Sequence, residues 1–150
     1  MHDPEDLRQH LHTVWQQNFP LAVAMGLSPA QYRQGFLQSH APLAANTNIH
    51  NTAFAGSLYA VQAMTAWGLL YLELHRAGLD ASIIHGEGNI KFSRTIKTDL
   101  VAQIDMADIQ QYVDEVRDTG KTRLQMETQV IADGEVCSAF SGSYYARLNT

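Results

Sequence analysis

Cysteine occurs once, at Cys137, so no disulfide can close within the chain, and the composition fits a reducing compartment such as the cytoplasm. Basic residues are scarce: ten Lys and Arg stand against fifteen Asp and Glu, a formal charge of −5. A nucleic-acid partner needs a basic patch that displaces counterions from phosphates, and this balance argues against one. The amino terminus, Met1-His2-Asp3-Pro4-Glu5-Asp6, is acidic and polar where a secretory leader is basic and then apolar, so no export signal is expected. Internal repeats and low-complexity linkers are missing too. A length of 150 residues then reads as one domain spanning 1–150, with room for a sizeable core.

The most telling absence is local. Residues 34–72 contain no Asp, Glu, Lys or Arg. The first half of this stretch is a polar loop, Ala45-Asn46-Thr47-Asn48-Ile49-His50-Asn51-Thr52; the second is almost wholly apolar and reads as a helix. Residues 54–72 are about long enough to span a membrane. They nevertheless carry Gly56, Ser57, Gln62, Thr65 and Gly68, and no Lys/Arg cluster flanks them, so a buried core helix is the better account and no membrane association is expected. A helix that is apolar all round must be covered on all sides. Its first N–H groups then face neutral polar side chains, at a point where the helix dipole favours negative charge.

Around this segment the periodicity yields further elements. Asp3 before Pro4 is a helix start, and Leu7, Leu11, Val14 and Trp15 give one apolar stripe that Pro20 stops near Phe19. Residues 21–27 read as a short connection and 32–43 as one strand. The long helix spans about 54–76, with Gly78 placed to end it. Beyond Asp80 the period changes to two. Ile84, Ile90, Phe92 and Ile96 predict the buried face of a strand with Gly86 and Gly88 at a bulge. Leu100, Ala102, Ile104 and Met106 repeat the pattern, as do Leu124, Met126, Val130 and Ala132 ahead of an Asp133-Gly134 hairpin turn. Val136, Ser138, Phe140, Gly142 and Tyr144 form one face of the last strand. The region 108–118 reads as strand or irregular structure.

This order, with Asn51-Thr52-Ala53-Phe54-Ala55-Gly56-Ser57-Leu58-Tyr59, Trp67-Gly68-Leu69-Leu70, Ile90-Lys91-Phe92-Ser93-Arg94 and Asp99, resembles the thioesterase-type domain at the C-terminus of YiiD-type proteins. The resemblance covers nearly the whole chain. It implies an α+β hot-dog fold, in which a long central helix is wrapped by a curved antiparallel sheet of about five strands. It also implies a homodimer, extending in some cases to a tetramer, that acts on or binds an acyl-CoA or acyl carrier protein thioester without a cofactor.

Thioester hydrolysis needs a polarised carbonyl, a positioned water and a proton acceptor. Backbone N–H groups of Ala55 and Gly56 are candidate oxyanion donors, and Gly56 either admits a substrate or relieves crowding of helix on sheet. Asn48 precedes Phe54-Ala55-Gly56 as an Asn precedes His-Gly-Gly in the phenylacetate-type hot-dog thioesterases that the chain resembles. Those relatives carry a carboxylate further along the helix, where this chain has Gln62 and Ala63 and no acid before Glu73. His50 is then the local base, or else a loop residue satisfying backbone groups. Asn51 and Ser57 join the candidate catalytic set, although they and Thr52 also suit helix capping. Thr52, Phe54, His85, Lys91 and Arg94 are candidate substrate contacts, with Lys91 and Arg94 offered to phosphates and His85, beside Glu87, offered to a neighbouring subunit's site. His10 and His12 do not share a helix face, so no metal site is expected.

Two other functions fit the residues. A binding module would keep the pocket without activating water. An enoyl-thioester hydratase is suggested by Asn46-Thr47-Asn48-Ile49-His50, which lacks the acid of the motif it resembles.

Overall fold

In the computed structural model, which describes residues 3–150, Asp3 is extended and its carboxylate accepts the Glu5 N–H at 2.8 Å. With Pro4 in the first turn, this starts α1 (Pro4–Asn18), whose buried residues are Leu7, Leu11 and Trp15. Met1 and His2, the first residues of the acidic terminus, lie outside the described residues. Pro20 ends α1 as expected, yet the residues after it are more than a connection. A proline suits the first turn of a helix, and Pro20 opens α2 (Pro20–Met25), closed by Gly26 at φ 67°.

The single strand expected over 32–43 is a hairpin. β1 (Ser28–Arg33) and β2 (Phe36–Ala41) reverse at Gly35, whose φ of 78° favours glycine. The other strands are β3 (Ala81–Phe92), β4 (Leu100–Asp105), β5 (Lys121–Ala132) and β6 (Glu135–Leu148). They form one six-stranded antiparallel sheet in the order β1-β2-β4-β5-β6-β3, one strand more than expected because of the hairpin. Asp133 and Gly134, at φ 53° and 76°, make the predicted turn between β5 and β6. The region 108–118 is helical: α4 (Ile109–Thr119) buries Ile109, Val113 and Val116 and ends at Gly120. Those three apolar residues are spaced for one helix face, a period that the short polar surroundings obscured.

The central helix α3 (Ala55–Arg76) contacts β2, β3, β4, β5 and β6. This is the hot-dog arrangement, with a long helix held in the sheet. Beside β1 and β2, α1 covers part of α3 by laying Leu11 and Trp15 into a notch at Gly68, where a Cβ would stand 2.9 Å from Trp15 Cζ2 and 3.0 Å from Leu37 Cδ2. Ala60, Ala63, Met64, Trp67 and Tyr71 remain half-buried. Among the described residues no helix is long and apolar enough to cross a membrane.

The alternation in β3 differs from the expected one. Ile84 is 63% exposed and Phe92 51% exposed, while Ile83 and His85 are partly buried. The glycine bulge accounts for Ile84: the register slips between His85 and Glu87, and the extra residue leaves Ile84 opposite the exposed Tyr145 while Ile90 and Phe92 stay opposite the buried Phe140 and Ser138, so that Phe92 is exposed as the last residue of the strand and not by a change of face. A second slip between Val130 and Ile131 accompanies Val136 turning outward, 41% exposed.

At the far end of α3 the Glu73 carboxylate is fully buried. It accepts the Gly35 N–H at 2.6 Å, the Tyr32 hydroxyl at 3.1 Å and Arg76 Nε at 3.0 Å. Burial, and then the charge of Glu73, push the Tyr32 phenol well above its ordinary pKa.

Candidate functional site

The polar loop is built before the helix it feeds. Asn46 is buried and its amide donates to the carbonyls of Met25 and Pro42, at 2.9 and 2.7 Å. Its own carbonyl accepts the Phe54 N–H, and Ala53 N–H donates to Ile96 O, so both ends of the loop are tied down. Between them Asn48 is the hub. Its Oδ1 accepts the N–H of His50 at 2.9 Å and of Thr52 at 3.2 Å, and its amide donates to Thr52 Oγ1 at 2.9 Å. Asn51 sits at φ 59°, a left-handed conformation that Asn tolerates, and so closes the turn. Asp99 anchors the approach by accepting the Leu43 N–H at 2.9 Å and pairing with His40 at 3.0 Å, which holds its carboxyl below the usual range.

Phe54 precedes α3 in an extended conformation (φ −70°, ψ 133°), and no side chain among the described residues caps the helix. Thr52 Oγ1 is engaged with Asn48, and Ser57 lies one turn inside. The N–H groups of Ala55, Gly56 and Ser57 therefore have no acceptor among the described residues. Ala55 and Gly56 are exposed. Unsatisfied donors at the positive end of a 22-residue helix are suited to an anion or a developing oxyanion.

Of these three residues Ala55 lines a cleft of about 400 Å³, between the loop and the segment 92–96 at the end of β3. Asn48, His50, Thr52 and Ala55 line one side; Phe92 and Arg94 line the other. His50 is exposed, so its imidazole is open to solvent in the cleft. Arg94 pairs with Glu135 at 2.7 Å across an exposed surface. Gly56 lies beside the cleft with Phe54's own ring over it, and a Cβ there would meet Phe54 Cε2 at 2.5 Å. Crowding of helix on sheet is thus not what requires this glycine. Asn51, Phe54, Gly56, Ser57 and Lys91 are not among the residues that line the cleft.

His85 is elsewhere. Its Nδ1 faces the Ser143 carbonyl at 3.1 Å and its Nε2 the Tyr59 hydroxyl at 2.8 Å, in a niche where a Cβ on Gly88 would run into that hydroxyl. Sequence reading missed Tyr59, and also Phe92 as a cleft wall. Phe92 keeps the inward parity expected of it, opposite buried Ser138, yet as the last residue of β3 it is half exposed and lines the cleft.

Gln62, where a catalytic acid was sought, is fully buried and committed: its amide donates to Leu58 O at 3.2 Å and Ser138 Oγ at 3.0 Å. The first carboxylate on α3, Glu73, lies eighteen residues from Ala55, roughly 27 Å along the axis. Among the described residues no group of three or more His, Cys, Asp or Glu could hold a metal ion.

Solved structures share this geometry. A Shewanella oneidensis protein named "putative thioesterase" is 27% identical, with 97% of this chain and 99% of that one covered at a TM-score of 0.88. A protein of unknown function from Chlorobaculum tepidum is 26% identical over 97% of each chain, at a TM-score of 0.92. A Haemophilus influenzae thioesterase shares the fold at a TM-score of 0.72 and 9% identity, with 99% of this chain and 92% of that one covered. Residues 8–148, nearly the entire chain, match one family in sequence, and the protein belongs to it: the hot-dog family described as "Putative thioesterase (yiiD_Cterm)".

Proposed function

We propose that this protein hydrolyses an acyl-CoA or acyl carrier protein thioester, in the cytoplasm and without a cofactor. The observation that carries this reading is the uncapped start of α3, where Ala55 lines the cleft and the N–H groups of Ala55 and the adjoining Gly56 have no acceptor among the described residues. A thioester carbonyl seated there gains donors that strengthen as its oxygen becomes anionic. Asn48 is spent on the loop, so its part is to hold Thr52 and the His50 backbone in place. His50 takes a proton from the attacking water; the resulting imidazolium returns it to the departing thiolate as the tetrahedral intermediate collapses. Asn51 and Ser57 support the turn and the first helical turn. Phe92 offers an apolar wall to the acyl group, the exposed Phe54 beside Ala55 extends that surface outside the cleft, and Arg94 and Lys91 face the phosphate-bearing arm.

The reading includes a second copy of the chain. β3 is a twelve-residue edge strand, and an open edge that long is a template for pairing. Pairing β3 with its counterpart in an antiparallel dimer would extend the sheet and cover the half-buried side of α3. It would also carry His85 toward the partner's cleft. Two such dimers would make a tetramer.

The test is thiol release from saturated and 2-enoyl CoA substrates of graded length. Ala55→Pro deletes one donor at a position where proline is tolerated, after a Phe54 already in the backbone region proline demands. Expected is a fall in kcat of about 10²–10³-fold with an unchanged melting curve; unaltered turnover would remove the helix start from the mechanism. That no Asp or Glu is among the described residues that line the cleft favours a second reading, a binding module, which tight binding without thiol release would establish. Loss of enoyl absorbance without thiol release would indicate a hydratase.

A further inference from the structure

The outer face of the sheet carries a feature distinct from the cleft. Strand register places Ser82, Arg147 and Lys121 in one row across β3, β6 and β5, and Ile84, Tyr145 and Arg123 in the next. All six are exposed, and two residues along a strand put the rows about 7 Å apart. They border a groove of about 570 Å³, floored by Thr122 and Ala146 and rimmed on one side by Glu115 of α4. That volume falls in the range of small-molecule sites. Phe92 at the cleft lies eight positions beyond Ile84 on β3, about 26 Å of strand.

Each row has a feature that folding alone does not explain. Lys121 and Arg147 are directly opposed, and like charges so placed destabilise a sheet. Arg8, Arg33, Arg76, Arg94 and Arg117 each bridge to a carboxylate. The two arginines that do not, among the described residues, are Arg123 and Arg147, both in this groove of a chain with net charge −5. In the second row Ile84 is 63% exposed and Tyr145 40% exposed, forming an uncovered apolar strip. The Tyr145 ring lies over Gly86, where a Cβ would stand 2.6 Å from Cε2, and the Arg123 guanidinium stands 5.5 Å from the ring centroid.

We propose that this groove binds a nucleotide. An apolar strip flanked by a guanidinium accepts a planar base by stacking. The neighbouring pair of cations, one row away, is relieved of its mutual repulsion by a bridging phosphate. A base and its 5′-phosphate have the same order of separation as the two rows. Glu115 can accept from a ribose hydroxyl, and its charge disfavours a ligand that is only an anion. The inference rests on no step of the thioester reading.

Isothermal titration of the full chain with ADP, adenosine, pyrophosphate and coenzyme A tests it. ADP is expected to bind at least about tenfold more tightly than adenosine or pyrophosphate, because each of these engages one row only. The double variant Lys121→Gln/Arg147→Gln, and separately Ile84→Ser, should each weaken ADP about tenfold or more while melting curves show them folded. Coenzyme A binding with the same losses would identify its nucleotide portion as an occupant; ADP binding without it would identify a free nucleotide. Ala55→Pro should bind ADP as the wild type does. No binding of ADP up to ~5 mM, equal affinity for pyrophosphate, or undiminished affinity in the double variant would overturn the proposal.

Discussion

The two ends of α3 are finished in opposite ways. At the carboxyl end, a buried Glu73 accepts from the Gly35 N–H, the Tyr32 hydroxyl and Arg76, so that helix, hairpin turn and strand are fastened together. At the amino end no side chain among the described residues caps the helix, Ala55 and Gly56 are exposed, and the charge-free loop before them spends its hydrogen bonds on itself. One end is satisfied and shielded; the other keeps free donors beside a cleft. Unsatisfied groups persist in a fold when the rest of the structure holds them there, and that is where ligands find partners. The contrast predicts that stability is concentrated at Glu73 and function at Ala55.

The largest effect expected from breaking this contrast is on stability at the carboxyl end. Glu73→Ala leaves a buried hydroxyl, a buried N–H and a partly buried guanidinium without their acceptor. Removing one partner of a buried charged pair typically costs about 3–5 kcal/mol. Urea unfolding should show a loss of that order, whereas Ala55→Pro should stay within about 0.5 kcal/mol of the wild type. Equal losses at the two ends would erase the distinction. Tyr32→Phe refines the measure by deleting one of the three donors, at a cost of about 1 kcal/mol.

Asn48→Ala comes next and acts at the opposite end. It removes the acceptor shared by the His50 and Thr52 N–H groups and the amide that holds Thr52 Oγ1. The loop is only partly buried, so water replaces some of these bonds, and the stability loss should be about 1–2 kcal/mol. The proposed function places a larger effect on turnover, since His50 loses its fixed position. A melting temperature that drops while kcat holds would make Asn48 a folding residue only.

The amino-end element was legible in sequence because its signal is long and one-sided: 39 consecutive uncharged residues turning from Asn-rich to apolar admit few readings other than loop and buried helix. The carboxyl-end lock was not legible. Glu73 reads as an ordinary acid near a helix end, and its partners, Tyr32 and Gly35, lie about forty residues upstream in a hairpin that the weak alternation of 32–43 merged into one strand. The same limit divides the candidate site. Asn48, His50, Thr52 and Ala55 are neighbours in sequence and meet in the cleft, with Arg94 opposite. His85 was offered to a neighbouring subunit's cleft, and within its own chain its parity around the Gly86 bulge turns it to Tyr59 and Ser143. Periodicity assigns faces until a bulge exchanges them, and where the exchange takes effect is set by pairing with β6.

The smallest expected effect sharpens the comparison through pH. Asp99 supports the amino-end loop by accepting the Leu43 N–H and pairing with His40, and both interactions hold its carboxyl below the ordinary value. A carboxylate whose folded pKa is depressed contributes stability above its unfolded pKa, about 3.9, and loses it as pH falls through the lower folded value. Asp99 is exposed, so the contribution is small and is best seen as a difference in melting temperature between wild type and Asp99→Asn. That difference should be present above about pH 4 and close below it, as protonation makes the wild-type side chain neutral like the variant's. Asparagine keeps an acceptor for the Leu43 N–H and loses only the charge. If the difference persists unchanged at lower pH, the loop is held there by hydrogen-bond geometry and not by charge, and the amino end is as electrically neutral in its supports as it is in its sequence.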